Sequence, residues 1–294
     1  MKGTGVALVT PFKDQKIDFP ALEKIIEHVL SGGVDFIVSL GTTGEAATLS
    51  DEEKREVLDF TIEKVNGRKP IVAGIFGHNN TAELIRRVEK FRFEGIHAIM
   101  SASPAYNKPP QEGIYQHYMK LAEASPLPII IYNVPGRTSS NVEAETTLRL
   151  AHASDKFLAV KEASADMVQA MHILKNKPDH FRVLSGDDPT ALPLVGCGGD
   201  GVISVIANAF PTEFSGMIRA ALNRDLKEAR HLNDLLLDIH PWLYIDGNPA
   251  GVKSLLYFMG LCSPEVRLPL AQMQPEHLSR LKEEMEKITA RRYV

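Results

Sequence analysis

The sequence predicts a (β/α)8 (TIM) barrel with a C-terminal helical extension, and three observations carry that prediction. Eight short β-branched or apolar runs alternate with longer amphipathic segments. The runs are apolar at consecutive positions, as strands are when both faces are covered, and such strands belong to parallel sheets. After the eighth run the pattern changes to helices alone. Eight strand-then-helix units close most economically into a barrel. A doubly wound sheet is the other arrangement for alternating units, but no G-x-G-x-x-G follows the first run.

In chain order the strand candidates are 6–10, 36–40, 71–74, 98–101, 129–132, 157–161, 182–185 and 201–205. The helices between them carry readable punctuation. Ser50 and Glu53 form a capping box for a helix closed by Gly67, and Asn80 with Glu83 opens a helix that should stop at Gly95. Apolar periodicity over 226–239, 251–259 and 275–290, separated by Pro241, Pro249, Pro264 and Pro269, marks the helical extension. No hinge-like low-complexity tract intervenes, so the expected division is a barrel over 1–224 and an extension over 225–294. A chain of 294 residues accommodates both, since such barrels run to about 250 residues.

Composition excludes several classes of function. A hydrophobic content of 44% with 24% charged residues is ordinary for a globular protein with a large core. A net charge of -4, with no basic cluster longer than Arg291-Arg292, leaves no footprint for nucleic acid or an acidic membrane, so small-molecule partners are expected. Cys197 and Cys262 are far apart and form no C-x-x-C, and no signal or membrane-spanning run follows Met1, which points to the cytoplasm. Ten histidines show no H-x-H or H-E-x-x-H, so no metal is assigned.

Reactive groups in such barrels sit at the C-terminal ends of strands and in the loops beyond. Lys161 ends the apolar run 157–160. It is either a strand end meeting water, its stem over apolar surface, or a desolvated amine whose lowered pKa makes it a nucleophile for carbonyls. The second candidate strand leads into Gly41-Thr42-Thr43-Gly44-Glu45, a turn whose hydroxyls can bind an anion or pass a proton. The fifth ends at Tyr132 and continues through Pro135-Gly136 to Arg137, a fork suited to a carboxylate. The stiff segment 103–110 carries Tyr106, and loops of this kind meet a ligand or another subunit. The seventh gives Ser185-Gly186-Asp187-Asp188, where the aspartates serve equally well as helix caps, and 196–201 is glycine-rich, either an anion grip or a turn. A nucleophile, a hydroxyl relay and a carboxylate clamp on one barrel describe an aldol enzyme acting on a keto acid. A carboxylate-binding module without turnover has no need of the first two.

Gly41 to Glu45, the run Tyr-Asn-Val-Pro-Gly-Arg-Thr from Tyr132 to Thr138, Val160-Lys161-Glu162-Ala163, Ser185-Gly186-Asp187 and 201–205 resemble the 4-hydroxy-tetrahydrodipicolinate synthase (dihydrodipicolinate synthase) family, over nearly the whole chain. The Gly-Thr-Thr-Gly-Glu element and the lysine are shared with the wider pyruvate-dependent lyase superfamily, whose sugar-acid and hydroxy-oxoglutarate aldolases are the nearest alternative. Arg137 is the discriminating residue. The resemblance implies an imine between Lys161 and pyruvate, so that no cofactor is needed, and a pyruvate carboxylate held at Thr43. It also implies a proton relay of Tyr132, Thr42 and Tyr106, and a semialdehyde carboxylate on Arg137. Gly186 and Ile203 would line the pyruvate pocket. Tyr106 would cross into a neighbouring subunit's site, which implies a homo-oligomer, a tetramer built as a dimer of tight dimers. Some members bind lysine through an aromatic residue before the relay tyrosine and histidines on the second helix. Ala105, Asp51 and Lys54 stand at those positions here, with Asn79 and Glu83 remaining, so lysine inhibition is expected to be weak or absent.

Overall fold

The computed structural model describes residues 1–291; Arg292 of the terminal basic pair lies outside them. Eight strands form a closed barrel: β1 (Gly3–Ala7), β4 (Phe36–Ser39), β5 (Ile71–Ala73), β6 (Ala98–Ala102), β7 (Ile129–Asn133), β8 (Phe157–Glu162), β9 (Arg182–Ser185) and β10 (Gly201–Ser204). All neighbours pair in parallel, and β10 returns to β1. A small antiparallel hairpin, β2 (Phe12–Lys13) and β3 (Lys16–Ile17), follows β1 and was not anticipated.

The outer layer consists of α1 (Phe19–Ser31), α2 (Asp51–Val65), α3 (Thr81–Lys90), α4 (Gln111–Ala124), α5 (Pro135–Thr138), α6 (Ala144–Ala153), α7 (Met167–Asn176), α8 (Ala191–Gly196) and α9 (Pro211–Leu222). The extension adds α10 (Leu226–Leu236), α11 (His240–Tyr244), α12 (Ala250–Phe258) and α13 (Pro275–Arg291). The capping box opens α2 as predicted, with both reciprocal hydrogen bonds between Ser50 and Glu53 present. Pro241 lies in the first turn of α11, a short helix between α10 and α12, where a helix needs no donor.

Strand pleating divides the core in two. Ala7, Val38, Val72, Ala98, Met100, Ile130, Ala159, Leu184 and Ile203 point into the barrel, whereas alternate residues such as Ile37, Ile71, Ile99 and Ile131 pack against the helices. The consecutive apolar positions reflect this double burial.

Two of the boundaries that differ from expectation have a visible physical cause. The first strand was expected over 6–10, but Gly3, Thr4 and Gly5 pair with Gly201, Val202 and Ile203. Backbones approach so closely there that a Cβ on Gly201 would lie 2.0 Å from the Gly3 carbonyl oxygen, so glycines of poor strand propensity are what the crossing requires. Helix α3 stops at Lys90 and not at Gly95, because Phe91 leaves the helix and packs with Phe93 around Phe76, with ring centroids 5.1 and 5.8 Å from that ring.

Candidate active site

Lys161 faces the interior of the barrel because of one irregularity. At the start of the β7–β8 ladder Ile129 pairs with Phe157 but Ile130 pairs with Ala159, so Leu158 is an extra, unpaired residue. The shift puts Lys161 opposite Tyr132 and Glu162 opposite Asn133. Without it Tyr132 would face Val160, and Lys161 would point outward to the helices, since a one-residue slip reverses every side chain. The strand also runs one residue beyond the expected end, to Glu162.

Lys161 is only 8% exposed, its Nζ lies 5.2 Å from the Tyr132 ring centre, and among the described residues it forms no ion pair. Burial lowers its pKa from 10.5 to about 8; the Asp188 charge opposes this, the Arg137 charge adds to it, and Asp187 opposes it in turn. The adjacent Glu162 points the other way. Its carboxylate accepts hydrogen bonds from Ser164 N–H (2.7 Å), Asn133 Nδ2 (2.9 Å) and Gln169 Nε2 (3.1 Å), a set of uncharged donors that ties β7 to β8 beside the lysine.

The hydroxyls of Thr42 and Tyr132 are 3.0 Å apart. Burial raises the Tyr132 pKa, with the Thr42 hydrogen bond and the Arg137 charge opposing. The turn that carries Thr42 is closed by Gly44 N–H to Gly41 O (3.1 Å) and Glu45 N–H to Thr42 O (3.0 Å), and Thr10 Oγ1 donates to Gly44 O (2.7 Å). Thr43 is buried, and its Oγ1 accepts from Asn248 Nδ2 at 2.9 Å. Asn248 comes from the extension and was not singled out in the sequence. A lone Asn between Gly247 and Pro249 reads as a turn, and no local signal tells that it reaches Thr43.

Gly186 follows β9 and packs on the lysine stem, so that a Cβ there would fall 2.9 Å from Lys161 Cγ and 3.0 Å from Cε. Ile203 closes the same interior from β10. Asp188 is buried and accepts from the N–H groups of Val205 (3.0 Å) and Ile206 (2.8 Å), so it caps the turn after β10; burial raises its pKa to about 6. The glycine-rich segment before β10 is a turn, in which Asp200 pairs with Arg182 at 3.1 Å.

Beside the Thr42 turn lies a cavity of about 590 Å³ whose wall includes Thr42, Ala102, Arg137, Asn248, Pro269 and Leu270. Arg137, on α5, is exposed at this mouth. Tyr106 stands apart from the group: it is 91% exposed, in the left-handed region at φ 70, with its N–H donating to Thr138 O (3.1 Å). Within one chain, then, Lys161, Tyr132, Thr42 and Gly186 form a contiguous set, joined by Ile203 in the barrel interior, and Tyr106 does not join it. Among the described residues no group of three or more His, Cys, Asp or Glu side chains converges on one point. No described helix is long and apolar enough to cross a membrane. The arrangement is a largely buried amine beside a phenol–hydroxyl pair, with a cationic side chain at the mouth, and can condense with the carbonyl of a small carboxylate.

The chain is similar to known proteins along its whole length. The model of the dihydrodipicolinate synthetase family matches residues 1–288. The 4-hydroxy-tetrahydrodipicolinate synthase of Parabacteroides distasonis is 50% identical over 271 residues, 92% of this chain and 91% of the relative. That of Cytophaga hutchinsonii is 47% identical over 288 residues, 98% and 96% of the two chains. Among solved structures, the chloride-inhibited dihydrodipicolinate synthase of Acinetobacter baumannii, complexed with pyruvate, superposes with a TM-score of 0.94 at 39% identity, covering 98% of this chain and 99% of that one.

Proposed function

We infer the reaction from a premise those matches establish: the chain belongs to the dihydrodipicolinate synthetase family. The reading is that it condenses pyruvate with L-aspartate 4-semialdehyde to give 4-hydroxy-tetrahydrodipicolinate, the first committed step of lysine biosynthesis through diaminopimelate. The observation that carries it is Lys161, a buried amine with a pKa of about 8 in register with Tyr132, whose hydroxyl is 3.0 Å from that of Thr42.

The Lys161 amine adds to the keto carbon of pyruvate, and water leaves as the imine forms. The iminium then draws electrons from the methyl group, one methyl proton departs through Tyr132 and Thr42, and an enamine results. The enamine carbon attacks the aldehyde, whose oxygen takes a proton back from the relay. The semialdehyde amine then displaces Lys161 from the imine carbon and closes the ring, so one water is released overall. Thr43 holds the pyruvate carboxylate, Gly186 and Ile203 shape its pocket, and Arg137 at the mouth holds the carboxylate of the semialdehyde. Holding both reactants in attack geometry supplies much of the acceleration, about 7–11 kcal/mol in favourable cases. The covalent imine takes the place of a cofactor.

Tyr106 completes the relay from a neighbouring subunit, a role supported by its 91% exposure on a Pro-flanked loop. The working protein is accordingly a homotetramer of two tight dimers in the cytoplasm, with the barrel (1–224) carrying the chemistry. Lysine inhibition is weak or absent. Asn79 is already engaged by the Ala105 backbone (2.6 and 2.9 Å) and Glu83 by Arg86 and Arg87 (2.7 and 3.2 Å), so neither offers a free group for an effector.

Borohydride reduction in the presence of pyruvate should leave a covalent adduct at Lys161, and turnover with aspartate semialdehyde should exceed that with sugar-acid or hydroxy-oxoglutarate substrates. An adduct with preferred turnover of a sugar acid would move the chain to another pyruvate-dependent activity. The absence of any adduct would refute lyase chemistry altogether.

A further inference from the structure

We propose that Glu45 and Lys253 are positioning residues: a buried ion pair through which the C-terminal extension holds the Thr42–Thr43 turn in its reactive geometry. The proposal rests on the reading of Thr42 as the relay partner of Tyr132. Glu45 closes the Gly41–Glu45 turn, and its carboxylate is wholly enclosed. One oxygen accepts from Lys253 Nζ on α12, whose side chain is equally enclosed, and the other accepts from the Arg267 N–H at 3.0 Å. Lys253 spends a second donor on the Glu265 carbonyl (2.8 Å). Both cations lie over the Phe12 ring, Lys253 Nζ 4.2 Å and the Arg267 guanidinium carbon 4.5 Å from its centre. Arg267 in turn reaches Thr48 O (3.2 Å) and the Glu53 carboxylate (2.6 and 2.7 Å). One segment of the extension thus fastens both ends of the short stretch between the turn and α2.

The turn needs such a fastening. Leu40 and Glu45, which bracket it, are both non-glycine residues in the left-handed region, at φ 60 and 53. Conformations of this kind persist only where the surroundings over-determine them. Besides its own turn bonds, the Thr10 hydroxyl on Gly44 O, and the Thr48 N–H and hydroxyl on Glu45 O (2.9 and 3.0 Å), the extension supplies three further holds: Asn248 on Thr43, and Lys253 with the Arg267 N–H on the Glu45 carboxylate. Thr42, the residue that meets Tyr132, lies between the glycine that starts the turn and these two grips. An apolar pair would hold helix to barrel as well as an ionic one, since the desolvation of two charges offsets their attraction. It would not fix the direction of the Glu45 backbone. Placement is what the ion pair adds, and a displacement near 1 Å at a reacting group costs up to about a hundredfold in rate.

The test uses the full-length oligomer and the double substitution Glu45→Gln with Lys253→Met, which removes both charges and leaves similar volumes. It should melt close to wild type and still trap pyruvate on Lys161 with borohydride. Its kcat should fall at least about tenfold, and the limb of the kcat–pH profile that reports Tyr132 should shift. A double variant with wild-type melting and kcat within twofold of wild type overturns the proposal, as does a loss of activity that only parallels a loss of folded protein. Glu45→Asp keeps the pair but shortens its reach by one methylene, and keeps the question open to test if the double variant does not fold. It should lose about three- to tenfold in kcat with melting unchanged, and an unchanged kcat counts against the clasp. Wild-type protein trapped in parallel separates the two readings: no adduct there refutes the lyase assignment, whereas an adduct with undiminished variant turnover refutes the clasp alone.

Discussion

Two lysines are buried among the described residues, and their surroundings could hardly differ more. Lys253 is fully enclosed, paired with the Glu45 carboxylate and bonded to the Glu265 carbonyl. Lys161 is 8% exposed, with the face of Tyr132 at 5.2 Å and no ion pair among the described residues. Burial pulls both pKa values down, but at Lys253 Glu45 opposes it by charge and by a direct hydrogen bond, and at Lys161 only the charges of Asp188 and Asp187 oppose it. The difference teaches that burial alone does not make a lysine reactive. A desolvated ammonium whose donors are taken is a structural tie, and one whose donors are unclaimed is poised to lose a proton and become a nucleophile.

The contrast is broken most directly by exchange of each lysine for methionine. Lys161→Met should lower kcat by roughly a thousandfold or more and abolish the borohydride adduct, because Lys161 is the amine in register with Tyr132. Lys253→Met should leave an adduct but destabilise the fold by about 3–5 kcal/mol in denaturant titration, since it strands the Glu45 carboxylate. If Lys253→Met loses the adduct while remaining folded, the two lysines are not separable in role. Tyr132→Phe sharpens the comparison on the reactive side: kcat should fall about a hundredfold, with the imine still forming, as removal of a proton-transfer group does.

The smallest expected effect is on stability as a function of pH. The folded-state pKa of Lys161 lies below its unfolded value, so between about 8 and 10.5 the unfolded chain binds more protons and stability rises with pH. Below that window the charged, buried amine works against folding in full. Lys161→Met should therefore be the more stable protein at neutral pH, and its advantage should shrink as the pH approaches 10.5, measured by denaturant midpoint. An advantage that is constant across the window would show that the amine is not desolvated.

The eight strands and the residues at their ends were legible in the sequence because doubly covered strands write themselves as apolar runs, and reactive groups in a barrel cluster where those runs stop. Lys161, Tyr132, Thr42, Arg137 and Gly186 could be named on that basis and on a family resemblance. Other features left no local trace. The unpaired Leu158 looks like any strand residue, yet it turns Lys161 inward. Gly3 and Gly5 have the wrong propensity for a strand, and their pairing with β10 depends on a partner nearly two hundred positions away. Asn248 and Lys253 sit in a tail whose packing surface periodicity does not specify, so their contacts with Thr43 and Glu45 could not be read.

What the sequence by itself determined is therefore the architecture and the chemical types at the mouth, because both follow from patterns that repeat along the chain: apolar period, helix caps, and reactive residues at strand ends. What only the tertiary structure decided is the state of those groups. The phase of β8, the withholding of a counter-ion from Lys161 and the fastening of the Thr42 turn by Lys253 and Asn248 all depend on contacts between distant segments. Reactivity depends on desolvation and on distances near 3 Å, and both are properties of the neighbours a fold assembles rather than of the order in which the residues are joined.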